Sequence, residues 1–130
     1  MHKSQSKGKS AEILFELLCL KKDWDCCKPI TDFMHYDYII DRGNGFEKIQ
    51  VKTVRFDKKK KTNKCDLRRS TAKGTGRVKY KEGDFDAVAI NVDFNRWVII
   101  PWEVINKNTE ISLTDRRITN EPTWHVHFEP

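Results

Sequence analysis

Tyr36-Asp37-Tyr38-Ile39-Ile40-Asp41-Arg42, then Gly43-Asn44-Gly45, then Phe46-Glu47-Lys48-Ile49-Gln50-Val51-Lys52-Thr53-Val54 is the stretch that decides the fold. Two runs rich in β-branched and aromatic residues flank Asn-Gly, the dipeptide that most favours a tight hairpin turn. Taking Asn44 and Gly45 as the turn pairs Gly43 with Phe46. Counting outward then sets Ile39 opposite Gln50 and Asp37 opposite Lys52. Cross-strand partners share a face, so one face carries Asp37, Ile39, Asp41, Lys48, Gln50 and Lys52. The other carries Tyr36, Tyr38, Ile40, Ile49, Val51 and Thr53 and is the expected core face.

Upstream, residues 1–9 are polar and read as a mobile arm. Ser10 is placed to cap a helix running to about Lys22. Ile13, Leu14, Leu17, Leu18 and Cys19 form its apolar stripe, widened by Phe15 and Leu20, with Glu12 and Glu16 one turn apart on the flank. Asp23 to Asp32 is a connection. Downstream, Phe85–Val92 and Arg96–Ile100 read as a second hairpin around Asp93-Phe94-Asn95. Pro101 ends that strand ahead of a short helix at Trp102-Glu103-Val104-Ile105, and Thr123–Phe128 alternates like an edge strand. No repeat and no linker divides residues 1–130, so one α+β domain is expected, a mixed β-sheet flanked by helices.

The chain carries a formal charge of +6, with charged residues at 34% and apolar ones at 38%. Seven Phe, four Trp and three Tyr supply core material that a disordered chain lacks. The positive charge is concentrated: Arg55 to Lys81 holds twelve basic and two acidic residues. Such a stripe favours a polyanionic partner, because each neutralised phosphate releases condensed counterions. Lys58, Lys59, Arg68, Arg69, Arg77 and Lys79 are the expected DNA contacts, with Tyr80 a further candidate. No apolar run approaches the length of a membrane span and no leader-like segment precedes Ser10, so no membrane partner and a cytoplasmic location are expected. Cys19, Cys26, Cys27 and Cys65 have no zinc-site or disulfide spacing and are expected as free thiols. His125 and His127 share a strand face but lack companion ligands, so no metal is expected there.

The polar face of the first hairpin suits phosphodiester hydrolysis. That reaction needs a divalent cation, oxygen ligands for it and a positioned water. Asp37 and Gln50 offer oxygens from adjacent strands, and Lys52 lies on the same face where its ammonium can orient water or offset negative charge. A helix packed beside these strands adds Glu12 as a further ligand. The plain alternative is a cross-strand Asp37–Lys52 salt bridge of little energetic consequence.

These residues resemble a known family. Glu12 in an N-terminal helix, Asp37 at the start of a hairpin and Gln50-Val51-Lys52 on its return strand look like the PD-(D/E)XK nuclease core. The segments KSAEILFELL, YDYIID, KIQVKTV, GDFDAVAINV and RWVIIPWEVI, within about residues 7–107, are most similar to the small group I intron-type homing endonucleases. Archaeal Holliday-junction resolvases are similar at the same places. The resemblance implies a restriction-endonuclease-like fold, with Asp37 as central metal ligand, Glu12 as a direct or outer ligand and Lys52 as catalytic lysine. Gln50 stands where the family usually has an acid, and Tyr36 where it often has Pro. A Gln at that position is a habit of the intron-associated branch. The implied activity is site-specific cleavage of double-stranded DNA with Mg²⁺, for which Mn²⁺ substitutes, by a homodimer or homotetramer. A Holliday-junction resolvase, a non-catalytic nucleic-acid-binding module and a restriction or repair component remain the alternatives.

Overall fold

The fold was read from a computed structural model that describes residues 3–71, 74–93, 96–106, 108–113 and 125–127, with backbone alone for 3–6 and 125–127. Its centre is a six-stranded sheet ordered β1-β2-β3-β8-β9-β11. The strands are β1 (Asp25–Cys27), β2 (Tyr38–Asp41), β3 (Phe46–Thr53), β8 (Ala87–Asp93), β9 (Arg96–Pro101) and β11 (His125–His127). The β3–β8 pair is parallel and the other neighbours are antiparallel, so the sheet is mixed. Phe94, Asn95, Thr123, Trp124 and Phe128, assigned above to a turn and an edge strand, lie outside the described residues.

The first hairpin forms, with a corrected register. Asp41 pairs with Phe46 and Tyr38 with Ile49, two residues displaced from the count made on a two-residue turn. The loop is Arg42–Gly45, four residues long, and the Asp41 carboxylate closes it by accepting from the Gly43 and Gly45 amides at 2.7 and 3.3 Å. Both glycines have positive φ, +110° and +105°, which a side chain would strain. Displacement by two residues leaves every side chain on its expected face, because the strand period is two.

Helix α1 (Lys3–Lys22) lies against the core face. Ala11, Phe15, Leu18 and Cys19 repeat at helical spacing and pack with Tyr38, Ile40, Ile49, Val51, Ala89, Trp97 and Ile99. Phe15 is the hub, 5.2 Å from the Tyr38 ring and 5.4 Å from that of Trp97. Two expectations fail here. Lys3–Lys9 are helical rather than an irregular arm, and Ser10 lies inside α1 instead of capping it. Nothing in that polar run stops a helix, and Lys7 Nζ docks it on the Val54 carbonyl at 2.5 Å. Ile13 and Leu20 fall off the stripe, 61% and 76% exposed.

Parallel strands require a crossover, and the basic segment supplies it. Residues 54–86 form β4 (Arg55–Asp57), β5 (Thr62–Asp66), β6 (Arg68–Ser70) and β7 (Arg77–Lys79) instead of a helix. β5 pairs with β4 and with β10 (Glu110–Leu113), while β6 and β7 make a separate hairpin. This layer covers the sheet's second face through Cys65, Leu67, Tyr80, Phe85, Ile111 and Leu113 against Val88, Ile90, Val98 and Ile100. Ile105 of α2 (Trp102–Ile105) completes that core. Burial on both faces explains the unbroken apolar runs of β8 and β9. The described cysteines are free thiols; Cys19 is buried as its place on the helical stripe implies, and Cys65 is buried as well. Among the described residues no helix is long and apolar enough to cross a membrane.

Candidate active site

Asp37 immediately precedes β2, where the sheet begins. Its backbone N–H donates to Ile49 O at 2.8 Å, and its Oδ2 accepts from Val51 N–H at 2.8 Å. The carboxylate is thus fixed by the return strand that carries Gln50 and Lys52. Two surface clefts meet at Asp37. One, of about 480 Å³, is lined by Gln50, Arg69, Ser70, Tyr80 and the loop residues Asp32–His35. The other, of about 630 Å³, is lined by Lys9, Glu12, Lys28, residues 29–34 and Tyr36.

Burial drives the Asp37 carboxyl up to about 6, and the negative Glu12 adds to the rise. The Val51 amide, Lys52 and Lys28 oppose it without prevailing. Glu12 reaches this neighbourhood from α1, on the opposite side of the sheet from Gln50 and Lys52. Its own carboxylate stands 3.8 Å from Lys9 Nζ. Glu16, one turn on, accepts from Tyr38 Oη at 2.5 Å and also faces Lys28 at 3.8 Å. It anchors the helix to β2 and does not line either cleft.

Lys52 does not pair directly with Asp37, so the plain salt-bridge reading fails. Its Nζ donates to Arg68 O at 2.9 Å and sits 5.2 Å from the Tyr80 ring centroid. Burial lowers its pKa, against the pull of Cys65, Asp66 and Asp37. An ammonium has three N–H donors, so the Arg68 contact leaves donors to spend. Gln50 donates only a long 3.4 Å contact from Nε2 to Val51 O. Asp37, Gln50 and Glu12 together offer oxygen donors alone, the chemistry a hard divalent cation prefers. Among the described residues no group of three or more His, Cys, Asp or Glu side chains could hold a metal.

The expected DNA contacts divide into distinct situations. Lys58 and Lys59 are exposed at the β4–β5 tip, where Asp57 accepts from the Lys59 and Lys60 amides. Arg68 and Arg77 share Asp66, at 3.1 and 2.8 Å. Lys79 is exposed opposite Arg68 on the β6–β7 hairpin. Arg69, on the other face of that hairpin, lines the cleft with Asp37 and Gln50. Tyr80 is 6% exposed and stacks edge-on with Phe85 at 4.9 Å, so it is a core residue flooring the site rather than a surface contact. The sequence reading missed the wall formed by Asp32–His35, which the His35 Nδ1–Asp84 bond of 3.0 Å ties down. That bond joins residues 49 apart, and no local pattern announces it.

The chain is similar to known proteins along most of its length. The PD-(D/E)XK endonuclease family matches residues 2–128. Protein 5.3 of Escherichia phage T7 is 28% identical over 116 residues, spanning 89% of this chain and 95% of that protein. The structure of a bacterial homing endonuclease, I-Ssp6803I, superposes with a TM-score of 0.74 at 29% identity, covering 89% of this chain and 82% of that one. With a mixed sheet and a family match over nearly its whole length, the chain belongs to the PD-(D/E)XK endonuclease family.

Proposed function

We propose that this nuclease is a Mg²⁺-dependent endonuclease that cuts both strands of duplex DNA at a specific site, in the manner of a homing endonuclease, and that Mn²⁺ can replace Mg²⁺. The observation that carries the reading is Asp37: a half-buried carboxylate, held by Val51 N–H and crowded by Glu12, opening into one cleft with Gln50. Burial, with Glu12, outweighs Lys52 and Lys28 at this carboxyl and pushes it up to about 6, so the charged form gains from added positive charge. An oxygen-only set containing such a group fits a hard cation, and Asp37, Gln50 and Glu12 would hold it.

A divalent cation there supplies Lewis-acid neutralisation of the phosphodiester's charge. The chain's own residues do the rest. Asp37 and Gln50 fix the approach of the phosphate, and the wall at Asp32–His35 limits the cleft on one side. Lys52, with N–H donors beyond its bond to Arg68 O, holds the attacking water and offsets charge growing on the phosphate oxygens as one O–P bond forms and another breaks. Lys58, Lys59 and Lys79 contact backbone phosphates, and Arg68 and Arg77 reach bases or phosphates from the Asp66 clamp. Cutting both strands calls for two active sites, so the working unit is a homodimer or homotetramer.

The test is cleavage of a diverse DNA pool, with four-way junctions included, by wild type, Lys52→Ala and Asp37→Asn. Mg²⁺-dependent cuts at a defined duplex sequence, reduced at least about a hundredfold in both variants while binding persists, are expected. Preferential cutting of junctions would reassign the substrate. Binding without cleavage in Mg²⁺ or Mn²⁺ would leave a non-catalytic binding module.

A further inference from the structure

Arg69 differs from the other arginines of the basic segment. Arg68 and Arg77 are neutralised by Asp66, Arg55 by Glu110 and Lys64 by Asp57 and Glu110. Arg69 makes no ion pair among the described residues. Its Nε is buried with no acceptor, and its hydrogen bond, from Nη1 to Ser70 O, is long at 3.4 Å. A guanidinium carries five N–H donors in a rigid fork, so this one is almost entirely unspent. Leaving a buried donor unmatched is costly, which points to an acceptor that arrives from outside.

The place from which it would arrive is set by the hairpin. In β6–β7, Arg69 lies opposite Val78, while Arg68, Ser70, Arg77 and Lys79 occupy the alternate positions. Alternation therefore turns Arg69 away from the Asp66 cluster and into the cleft shared by Asp37 and Gln50. The other basic side chain lining that cleft is His35, already engaged with Asp84. Turning the Arg69 fork toward the cleft sacrifices only the long Ser70 contact. Tyr80, which floors the same cleft, is buried and holds the hairpin in place through Phe85.

Resting on the nuclease reading above, we propose that Arg69 is a positioning residue that grips, through its guanidinium fork, the phosphate of the strand being cut, at the scissile linkage or the one beside it. Planar forks suit phosphate oxygens better than an ammonium does. The grip sets the phosphate against Asp37 and Gln50 and shares with Lys52 the charge that grows on its oxygens. Arg69 is thus a phosphate clamp rather than a reader of bases.

The experiment uses cleavage-incompetent Lys52→Ala protein and a short duplex carrying the sequence recovered from pooled cleavage. One neutral methylphosphonate linkage is walked through each position around the cut. In protein with Arg69 intact, neutralising the gripped linkage should weaken binding by about tenfold to a hundredfold. Adding Arg69→Ala should weaken binding of the unmodified duplex to the same extent and abolish the penalty at that one linkage only. Arg69→Lys should restore part of it, and unchanged melting temperatures exclude a folding defect. Coupling at a distant linkage, or an equal loss at all linkages, overturns the clamp while leaving the nuclease intact. A protein that binds no duplex overturns the proposed function, and the clamp with it.

Discussion

Replacing Asp37 by Asn should abolish cleavage and yet make the protein more stable at neutral pH. The carboxyl is raised from 3.8 to about 6, chiefly by burial and then by Glu12. Above about pH 6 the folded chain therefore holds a charge that the unfolded chain accommodates more readily. Two pH units correspond to about 3 kcal/mol of differential stability. The sign follows from proton uptake. Between 3.8 and about 6 the folded form is protonated at this site and the unfolded form is not, so the site's stability penalty vanishes as pH falls through that window. Asn keeps an oxygen for the Val51 amide and carries no charge.

Thermal or urea melts of wild type and Asp37→Asn, without divalent ions from pH 4 to pH 8, measure this. The variant should gain about 3 kcal/mol at pH 7.5, roughly 11 °C for a chain of this length, and only about 0.5 kcal/mol at pH 4. Using the difference matters, because Asp66 and Asp84, lowered by their hydrogen bonds to Arg68, Lys81 and His35, destabilise both proteins alike as they are protonated. Saturating Mg²⁺ should stabilise wild type and close most of the gap, since a cation bound only to the folded form adds about 2.7 kcal/mol at a hundred times its Kd. A variant no more stable than wild type at pH 7.5, or equally stabilised at pH 4, would refute the charge argument.

Three further outcomes are expected. Lys58→Ala/Lys59→Ala should weaken binding to all duplexes alike and reduce the slope of log K against log salt by about two, measured by fluorescence anisotropy; an unchanged slope means that the β4–β5 tip does not meet DNA. Gln50→Glu adds a carboxylate beside Asp37 and should lower the Mg²⁺ needed for half-maximal cleavage, whereas an unchanged titration removes Gln50 from the metal site. Phe15→Ala empties the contact between Tyr38 and Trp97 and should cost about 3–5 kcal/mol in denaturant unfolding; a cost below about 1 kcal/mol would mean that α1 is not held by this core.

What could be read from residues alone was whatever repeats with a local period. The hairpin register was displaced by two because Asp41 closes a four-residue loop through its side chain, which turn propensities do not register. The faces survived, so Asp37, Gln50 and Lys52 were still assigned to one side of the sheet. The helical stripe was legible at Leu18 and Cys19 but misjudged Ile13, because apolar character does not reveal which flank the sheet will cover. In the basic segment, net charge was legible and individual roles were not. Arg68, Arg69 and Arg77 look equivalent in sequence, and only the pairing of β6 with β7 places two of them on Asp66 and the third in the cleft.

The position of Asp37 explains how residues from opposite sides of one sheet can serve one site. Side chains within the strands face one layer or the other: Tyr38 is committed to α1, and Gln50 and Lys52 to the crossover layer. Asp37, one residue ahead of β2, escapes that partition and lines both clefts. Glu12 can then act on Asp37 from the α1 side while Gln50 shares its cleft on the other. The arrangement demands that the strand end be fixed, and two hydrogen bonds to β3, from Asp37 N to Ile49 O and from Val51 N to Asp37 Oδ2, fix it. The placement that lets β3 restrain the carboxylate also half-buries it, and that burial raises its pKa although the Val51 bond itself lowers it. On the proposed reading, instability at Asp37 and uptake of a cation there are two consequences of one placement.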